Sequence, residues 1–109
     1  MATGRLGAAD LAATTYTTVY TCPTTKFAVV GLSICNRNAT SVTVRISLQA
    51  GTSVVNGEYI EYDQVIYPND CYTRSGVVLD SQKYLYVNVT GDASPNVHVV
   101  VWGFEEDNA

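Results

Sequence analysis

Residues 41–50 are SVTVRISLQA, and they alternate apolar and polar side chains without a break. Val42, Val44, Ile46 and Leu48 fall on one side of an extended chain, and the polar residues between them fall on the other. This period of two is typical of a strand whose sheet has one buried face. The preceding stretch, residues 26–36, has the same period with apolar residues on both faces, which indicates a more central strand. We therefore predict that these two strands form a hairpin around residues 36–39.

The same pattern recurs along most of the chain. Further strands are predicted at 15–21, 58–66, 71–79, 83–90 and 96–104, with a bulge at Ser75–Gly76 and turns rich in Pro, Asn, Asp and Gly between strands. About seven strands at a spacing of roughly 8–12 residues predict an all-β, single-domain antiparallel β-sandwich of jelly-roll or immunoglobulin-like type. Two layers are needed, because one sheet would leave its apolar face in water.

The N-terminal segment differs in composition from the rest. Residues 1–14 are rich in Ala and Gly and have no clear period of two. We interpret them as a short arm, extended or briefly helical, that becomes ordered on contact with a neighbour. The predicted organisation is an arm over 1–14 and a β-sandwich domain over 15–109.

Composition and charge exclude several classes of function. The formal net charge is −4 and the six basic residues are scattered, which disfavours nucleic-acid binding. No apolar run is long enough to span a membrane, and the N-terminus does not resemble a signal peptide. Charged residues make up 15% of the chain against about 25% in ordinary domains, which suits a protein packed against neighbours. Cys22, Cys35 and Cys71 are interpreted as reduced thiols, because their spacing matches no metal or redox motif.

Catalytic chemistry has little support in the sequence. His98 is the sole imidazole and lies mid-strand between valines, which favours a hydrogen-bonded surface residue over a general base. Glu61 and Asp63 are predicted to share a strand face, where they would bind calcium or act as an acid–base pair. The interpretation that we favour for them is a solvated face. We therefore expect no enzyme activity, no metal and no cofactor.

The eight tyrosines leave three alternatives open. Tyrosines on strand faces suit protein interfaces, stabilise sheets by cross-strand packing, and stack on sugars. We favour the interface. The candidate interface residues come from the arm and from the tyrosine-bearing strands: Arg5, Leu6, Leu11, Tyr16, Tyr20, Tyr59, Tyr84 and Tyr86.

Several motifs in order along the chain add a resemblance. They are GRLGAADLAA (4–13), TTVYTCP (17–23), ICNRNAT (34–40), VTVR (42–45), EYIEYD (58–63), GVVLD (76–80) and GFEE (103–106). As a set, this layout resembles small virion structural proteins of tailed bacteriophages, notably marine phages and phages of cyanobacteria.

The resemblance implies a non-enzymatic particle component, assembled in the host cytoplasm. A capsid decoration or cement protein that stabilises the outer shell is the favoured role, and a neck, tail or baseplate accessory is the alternative. A carbohydrate-binding module for host attachment is a further alternative. The implied partners are the major capsid protein or other virion proteins, together with further copies of the chain, for which a trimer is expected by analogy.

Overall fold

A computed structural model describes residues 3–11, 16–51, 56–90 and 96–107. The strands are β1 (Thr3–Asp10), β2 (Tyr16–Thr21), β3 (Lys26–Asn36), β4 (Val42–Gln49), β5 (Tyr59–Ile66), β6 (Asp70–Leu79), β7 (Tyr84–Thr90) and β8 (Val97–Asp107), with a 3-10 turn at Asn56–Glu58 before β5. The prediction of an all-β chain is confirmed. Strands β2–β8 match the seven predicted ones to within a few residues.

The strands form two antiparallel sheets of four. The first sheet has the order β1-β8-β3-β6 and the second sheet has the order β2-β7-β4-β5. One face of each sheet contributes to a common core, and this arrangement fits a β-sandwich.

The core consists of the inward faces that the alternation predicts. Leu32 and Ile34 of β3, Leu85 of β7 and Val101 of β8 have no exposed surface. Val30, Val87 and Val99, each two residues away along these strands, are also buried. Each fully buried aliphatic side chain contributes roughly 1.5–3 kcal/mol of transfer free energy. The core therefore fixes which face of each strand turns outward.

The structure places most of the expected N-terminal arm inside the first sheet. Residues 3–10 form β1, which pairs with β8, and Leu11 lies in the core with 1% of its surface exposed. The Gly and Ala residues of this strand give it no clear apolar–polar alternation. Their small size suits a strand that packs closely against the second sheet. A Cβ atom on Gly7 would lie 2.4 Å from the carbonyl oxygen of Val19 in the other sheet. Residues 1, 2 and 12–14 of the expected arm lie outside the described residues.

The predicted hairpin of β3 and β4 is wrong. Strand β3 pairs with β6 and β8 in the first sheet, whereas β4 pairs with β5 and β7 in the second sheet. Each strand is central in its own sheet, so neither has a free edge for the other. The alternation defines a buried face, but it does not say which strand lies alongside.

Bulges change which side chains face the core in β6 and β2. The predicted bulge at Ser75–Gly76 is confirmed, because the register of β3 and β6 shifts there and Gly76 has φ 72°. A second irregularity, between Thr18 and Tyr20, turns Tyr20 into the core. In β4, the predicted outward residues Ser47 and Gln49 share the tyrosine-bearing side of the second sheet, but both are fully buried.

Candidate protein-binding face

The residues predicted to form an interface fall in different environments. Leu11, Tyr20 and Tyr86 are buried, which leaves them little surface for a partner. Arg5 is exposed on β1, and Leu6 is half-buried against the core. The remaining three, Tyr16, Tyr59 and Tyr84, are half-buried and belong to the second sheet. The structure therefore does not bring the eight residues together on one surface.

Tyr20 has a structural role between the sheets. Its hydroxyl donates a hydrogen bond of 2.5 Å to Oε2 of Glu105, a carboxylate that is only 8% exposed. Burial, followed by this bond to Glu105, raises the pKa of Tyr20 well above its ordinary value. The pair satisfies two polar groups that would otherwise be costly to bury.

A polar aromatic cluster lies on the outer face of the second sheet. The hydroxyl groups of Tyr16 and Tyr59 are hydrogen-bonded to each other, and Tyr59 meets Tyr62 edge to face with ring centroids 5.0 Å apart. The guanidinium of Arg45 lies 4.0 Å from the Tyr62 ring centroid, and its Nε donates to Asp63 at 2.6 Å. We call these five residues the tyrosine cluster.

The hydroxyl group of Tyr16 has a lowered pKa within the tyrosine cluster. Burial acts to raise the pKa of Tyr16, but hydrogen bonds from Tyr59, Asn88 and Arg45 outweigh it and lower the pKa overall. Beside it, Oδ1 of Asn88 and Oγ of Ser47 are buried and have no hydrogen-bond partner within the described part of the chain. The surface that this face presents to solvent is therefore mainly aromatic, with Tyr62 56% exposed.

An apolar surface lies on the outer face of the first sheet. It is formed by Val78, Val100, Trp102 and Phe104, which are 59%, 40%, 38% and 38% exposed. We call these four residues the apolar patch. Phe104 and Val78 flank Val29 in one row across the sheet, while Trp102 and Val100 lie in the next rows of β8. The patch therefore lies on β6 and β8, with Val29 of the intervening strand β3 between its two parts.

Strand β3 has a glycine, Gly31, at the position where the Trp102 ring packs. A Cβ atom at Gly31 would lie 3.0 Å from Cζ2 of Trp102, so the indole ring lies directly on the bare backbone of β3. Arg5 occupies the position opposite Trp102 on β1. The patch thus combines a large anchored aromatic group with a basic residue at its edge, a combination enriched in protein interfaces.

Sequence reasoning missed the apolar patch, although a signal for it exists. Residues 97–104 are VHVVVWGF, which is apolar on both faces of a single strand. A half-buried antiparallel strand does not need apolar residues on its solvent side. The aromatic residues of that second face therefore predict the exposed apolar surface that the structure shows.

His98 lies at a sheet surface in a complete hydrogen-bond arrangement. Its Nδ1 contacts Oδ1 of Asp10 at 2.6 Å, and Nε2 accepts a hydrogen bond of 2.8 Å from Nε of Arg37. Cys35 is its neighbour on β3. Because Arg37 occupies Nε2, this nitrogen is not free to take a proton from the Cys35 thiol.

The acidic pair of β5 does not share a face as predicted. Glu61 accepts hydrogen bonds from the hydroxyl of Tyr72 at 2.5 Å and from Arg74 at 3.2 Å, both in the first sheet. Asp63 instead pairs with Arg45 of the tyrosine cluster. The reason is a local irregularity, because Asp63 has φ 55° and the register of β4 and β5 shifts there.

Within residues 3–11, 16–51, 56–90 and 96–107, no three His, Cys, Asp or Glu side chains are grouped so as to hold a metal ion. In the same residues, no helix has the length and apolar character needed to cross a membrane.

Comparisons with known proteins add no family assignment. No family model, curated protein or solved structure matches the chain.

Proposed function

We propose that this chain is a non-enzymatic structural protein of a tailed-phage virion, which binds and stabilises the outer shell through the apolar patch. The observation that carries the proposal is the exposure of Trp102 and Phe104 beside Val78 and Val100 on one sheet face. Contiguous apolar surface of this kind marks a site of protein contact in soluble proteins. The resemblance of the sequence motifs to virion proteins supplies the identity of the partner.

The energetics of the apolar patch suit adhesion. Removal of an aromatic side chain from water contributes about 25 cal/mol for each Å² buried, and Trp is enriched among residues that dominate binding. The indole of Trp102 is already held against the backbone of Gly31. The Trp102 side chain therefore loses little conformational entropy when a partner covers it.

The strand order supports a jelly roll within the broader class of β-sandwiches. The neighbours β1 and β8, β2 and β7, β3 and β6, and β4 and β5 nest like one long hairpin wrapped around the core. Jelly rolls of eight strands are common in viral capsid and lectin domains. This order favours the jelly roll over the immunoglobulin-like alternative.

The partner and assembly state complete the proposal. The chain binds the major capsid protein or another virion protein and acts as a homo-oligomer, with a trimer as the specific expectation. Its place is the virion, assembled in the host cytoplasm.

A neck, tail or baseplate accessory is the alternative role, and copy number distinguishes the two roles. A decoration protein covers the shell, whereas an accessory is present in few copies near one vertex.

A carbohydrate-binding module is the second candidate function, and the tyrosine cluster favours it. Tyr16, Tyr59 and Tyr62 provide aromatic surface, and Tyr62 is 56% exposed, so that a sugar ring could stack on it. A glycan array probed with the purified protein tests this function. Binding that is lost in Tyr62→Ala supports it, and an array without hits removes it.

A matched pair of lysine substitutions tests the shell-binding role. Val100→Lys places a charge in the apolar patch, whereas Val65→Lys makes the same change at an equally exposed valine of the second sheet, since both are 40% exposed. We expect Val100→Lys to weaken binding to phage shells that lack the chain by at least about tenfold, because burying an unpaired ammonium group is costly. Val65→Lys should bind like the unmodified protein.

Co-sedimentation with the shells, analysed over a range of protein concentrations, measures the affinity. Thermal unfolding of both variants checks that each remains folded. Equal affinity of the two variants, or failure of the unmodified protein to bind the shells, would contradict the proposal.

A further inference from the structure

We propose that Cys35 and Cys71 are a redox modification site, at which oxidation forms an intrachain disulfide joining β3 to β6. This inference is independent of the proposed function, because it rests only on the positions of the two thiols in the first sheet.

The geometry of the antiparallel ladder brings the two sulfur atoms together. Cys35 and Cys71 are direct partners across β3 and β6, so their side chains leave the sheet on the same face. Directly opposed residues have Cα atoms about 4.5 or 5.5 Å apart, depending on the type of pair. Both values lie within the range of roughly 4.4–6.8 Å that a disulfide spans without backbone movement.

The two thiols are already in contact in the reduced protein. The hydrogen bond between the side chains of Cys35 and Cys71, together with burial, raises the pKa of Cys71 to about 11. This bond favours the thiol form of Cys71 at neutral pH, so oxidation is expected to be slow there and faster at alkaline pH. A solvent path exists, because Cys71 is exposed and Cys35 is half-buried.

The third cysteine provides an internal control. Cys22 is 1% exposed, and its thiol donates to the carbonyl oxygens of Lys26 and Leu79 at 3.4 and 3.6 Å. Burial raises its pKa, which further lowers its reactivity. Cys22 should therefore stay reduced while the other two residues react.

The reaction proceeds by thiol–disulfide exchange with a small-molecule disulfide such as oxidised glutathione. The Cys71 thiolate attacks one glutathione sulfur, the glutathione S–S bond breaks, and one glutathione thiolate leaves. The Cys35 thiolate then attacks Sγ of Cys71 in the mixed disulfide and displaces the second glutathione. The two thiol protons finish on the two glutathione molecules, so the protein is oxidised by two electrons and the glutathione disulfide is reduced by two.

The disulfide would close a loop that contains two strands of the other sheet. Residues 36–70 include β4 and β5, so the link restricts the unfolded chain over a long segment. We expect the midpoint of thermal unfolding to rise by roughly 10 °C after oxidation.

The test is treatment of the folded protein with oxidised glutathione, followed by blocking of free thiols and peptide mass spectrometry. We expect one peptide pair linked through Cys35 and Cys71, a blocked Cys22, and reversal by dithiothreitol. The variants Cys35→Ser and Cys71→Ser should lose the rise in unfolding temperature, whereas Cys22→Ser should keep it relative to its own reduced form.

Three outcomes would overturn the inference. They are mixed disulfides at Cys35 or Cys71 that never resolve into the internal link, a disulfide that involves Cys22, and a dimer joined through Cys71. Peptide mapping of the unmodified protein distinguishes all of these, so the test holds even where a serine variant folds poorly.

Discussion

Replacing Gly103 with alanine is expected to lower the free energy of unfolding by about 3–5 kcal/mol. Gly103 lies in β8 between Trp102 and Phe104, with φ 150°, and it faces Val30 across the ladder. A Cβ atom there would lie 2.1 Å from the carbonyl oxygen of Val29 and 2.8 Å from Cα of Val30. These atoms belong to the backbone of a central strand, which cannot move aside without breaking its pairing with β6 or β8. Overpacking and backbone strain each cost roughly 1–3 kcal/mol, and here they act together.

The control for this prediction is Gly51→Ala. No atom lies within 4 Å of a Cβ built on Gly51, and its φ is not in the left-handed region. Denaturant unfolding followed by circular dichroism should show a lower midpoint for Gly103→Ala and almost none of that loss for Gly51→Ala. Because the free energy of unfolding of small domains is only about 5–15 kcal/mol, Gly103→Ala should leave the folded state only marginally stable. Equal midpoints for the two variants would show that β3 and β8 are not packed as described.

Asn36→Asp is expected to cost on the order of 3–4 kcal/mol. The side chain of Asn36 is 1% exposed and joins two segments that cross between the sheets. Its Nδ2 donates to the carbonyl oxygens of Thr40 and Ile66, both at 3.0 Å, and its Oδ1 accepts from the backbone N–H of Asn38 at 2.9 Å. A carboxylate cannot donate to either carbonyl, and the charge would be buried against their oxygen atoms.

The pH dependence of Asn36→Asp gives a second readout. Burial beside carbonyl oxygens raises the pKa of the new carboxyl group in the folded state above its unfolded value. The unfolded state then binds fewer protons than the folded state, so stability falls as pH rises, and the deficit of the variant should shrink on acidification. Asn69→Asp is the matched control, because Asn69 is exposed and Asp tolerates its positive φ of 60°. A deficit that is independent of pH, or equal in the two variants, would contradict the role assigned to Asn36.

Local pattern was sufficient to predict β2–β8 and most of the core, because both depend on residues near each other in sequence. The inward residues of β3, β7 and β8 follow directly from a period of two. Strand partners were less predictable, since β3 and β4 are adjacent in sequence but are each central in a different sheet. The strand β1 was hidden because Gly and Ala carry little periodicity, although its backbone pairs with β8 from Thr3 to Asp10.

The functional surfaces were harder to predict than the fold, because they depend on bulges and on cross-strand register. Tyr20 was expected at an interface, but the irregularity beside it turns the side chain onto Glu105. Glu61 and Asp63 were separated in the same way. The opposition of Cys35 and Cys71, 36 positions apart in the chain, requires knowledge of the β3–β6 register. Of these surfaces, only the outward face of β8, with its aromatic residues, can be recognised from the sequence alone.

We propose that the outer face of the first sheet binds a virion shell. A cryo-electron microscopy reconstruction of the particle that contains this chain would show whether it does. We expect many copies on the outer shell, with Trp102 and Phe104 covered by a neighbouring protein. A particle without this chain, or one in which both aromatic rings face solvent, would contradict the claim.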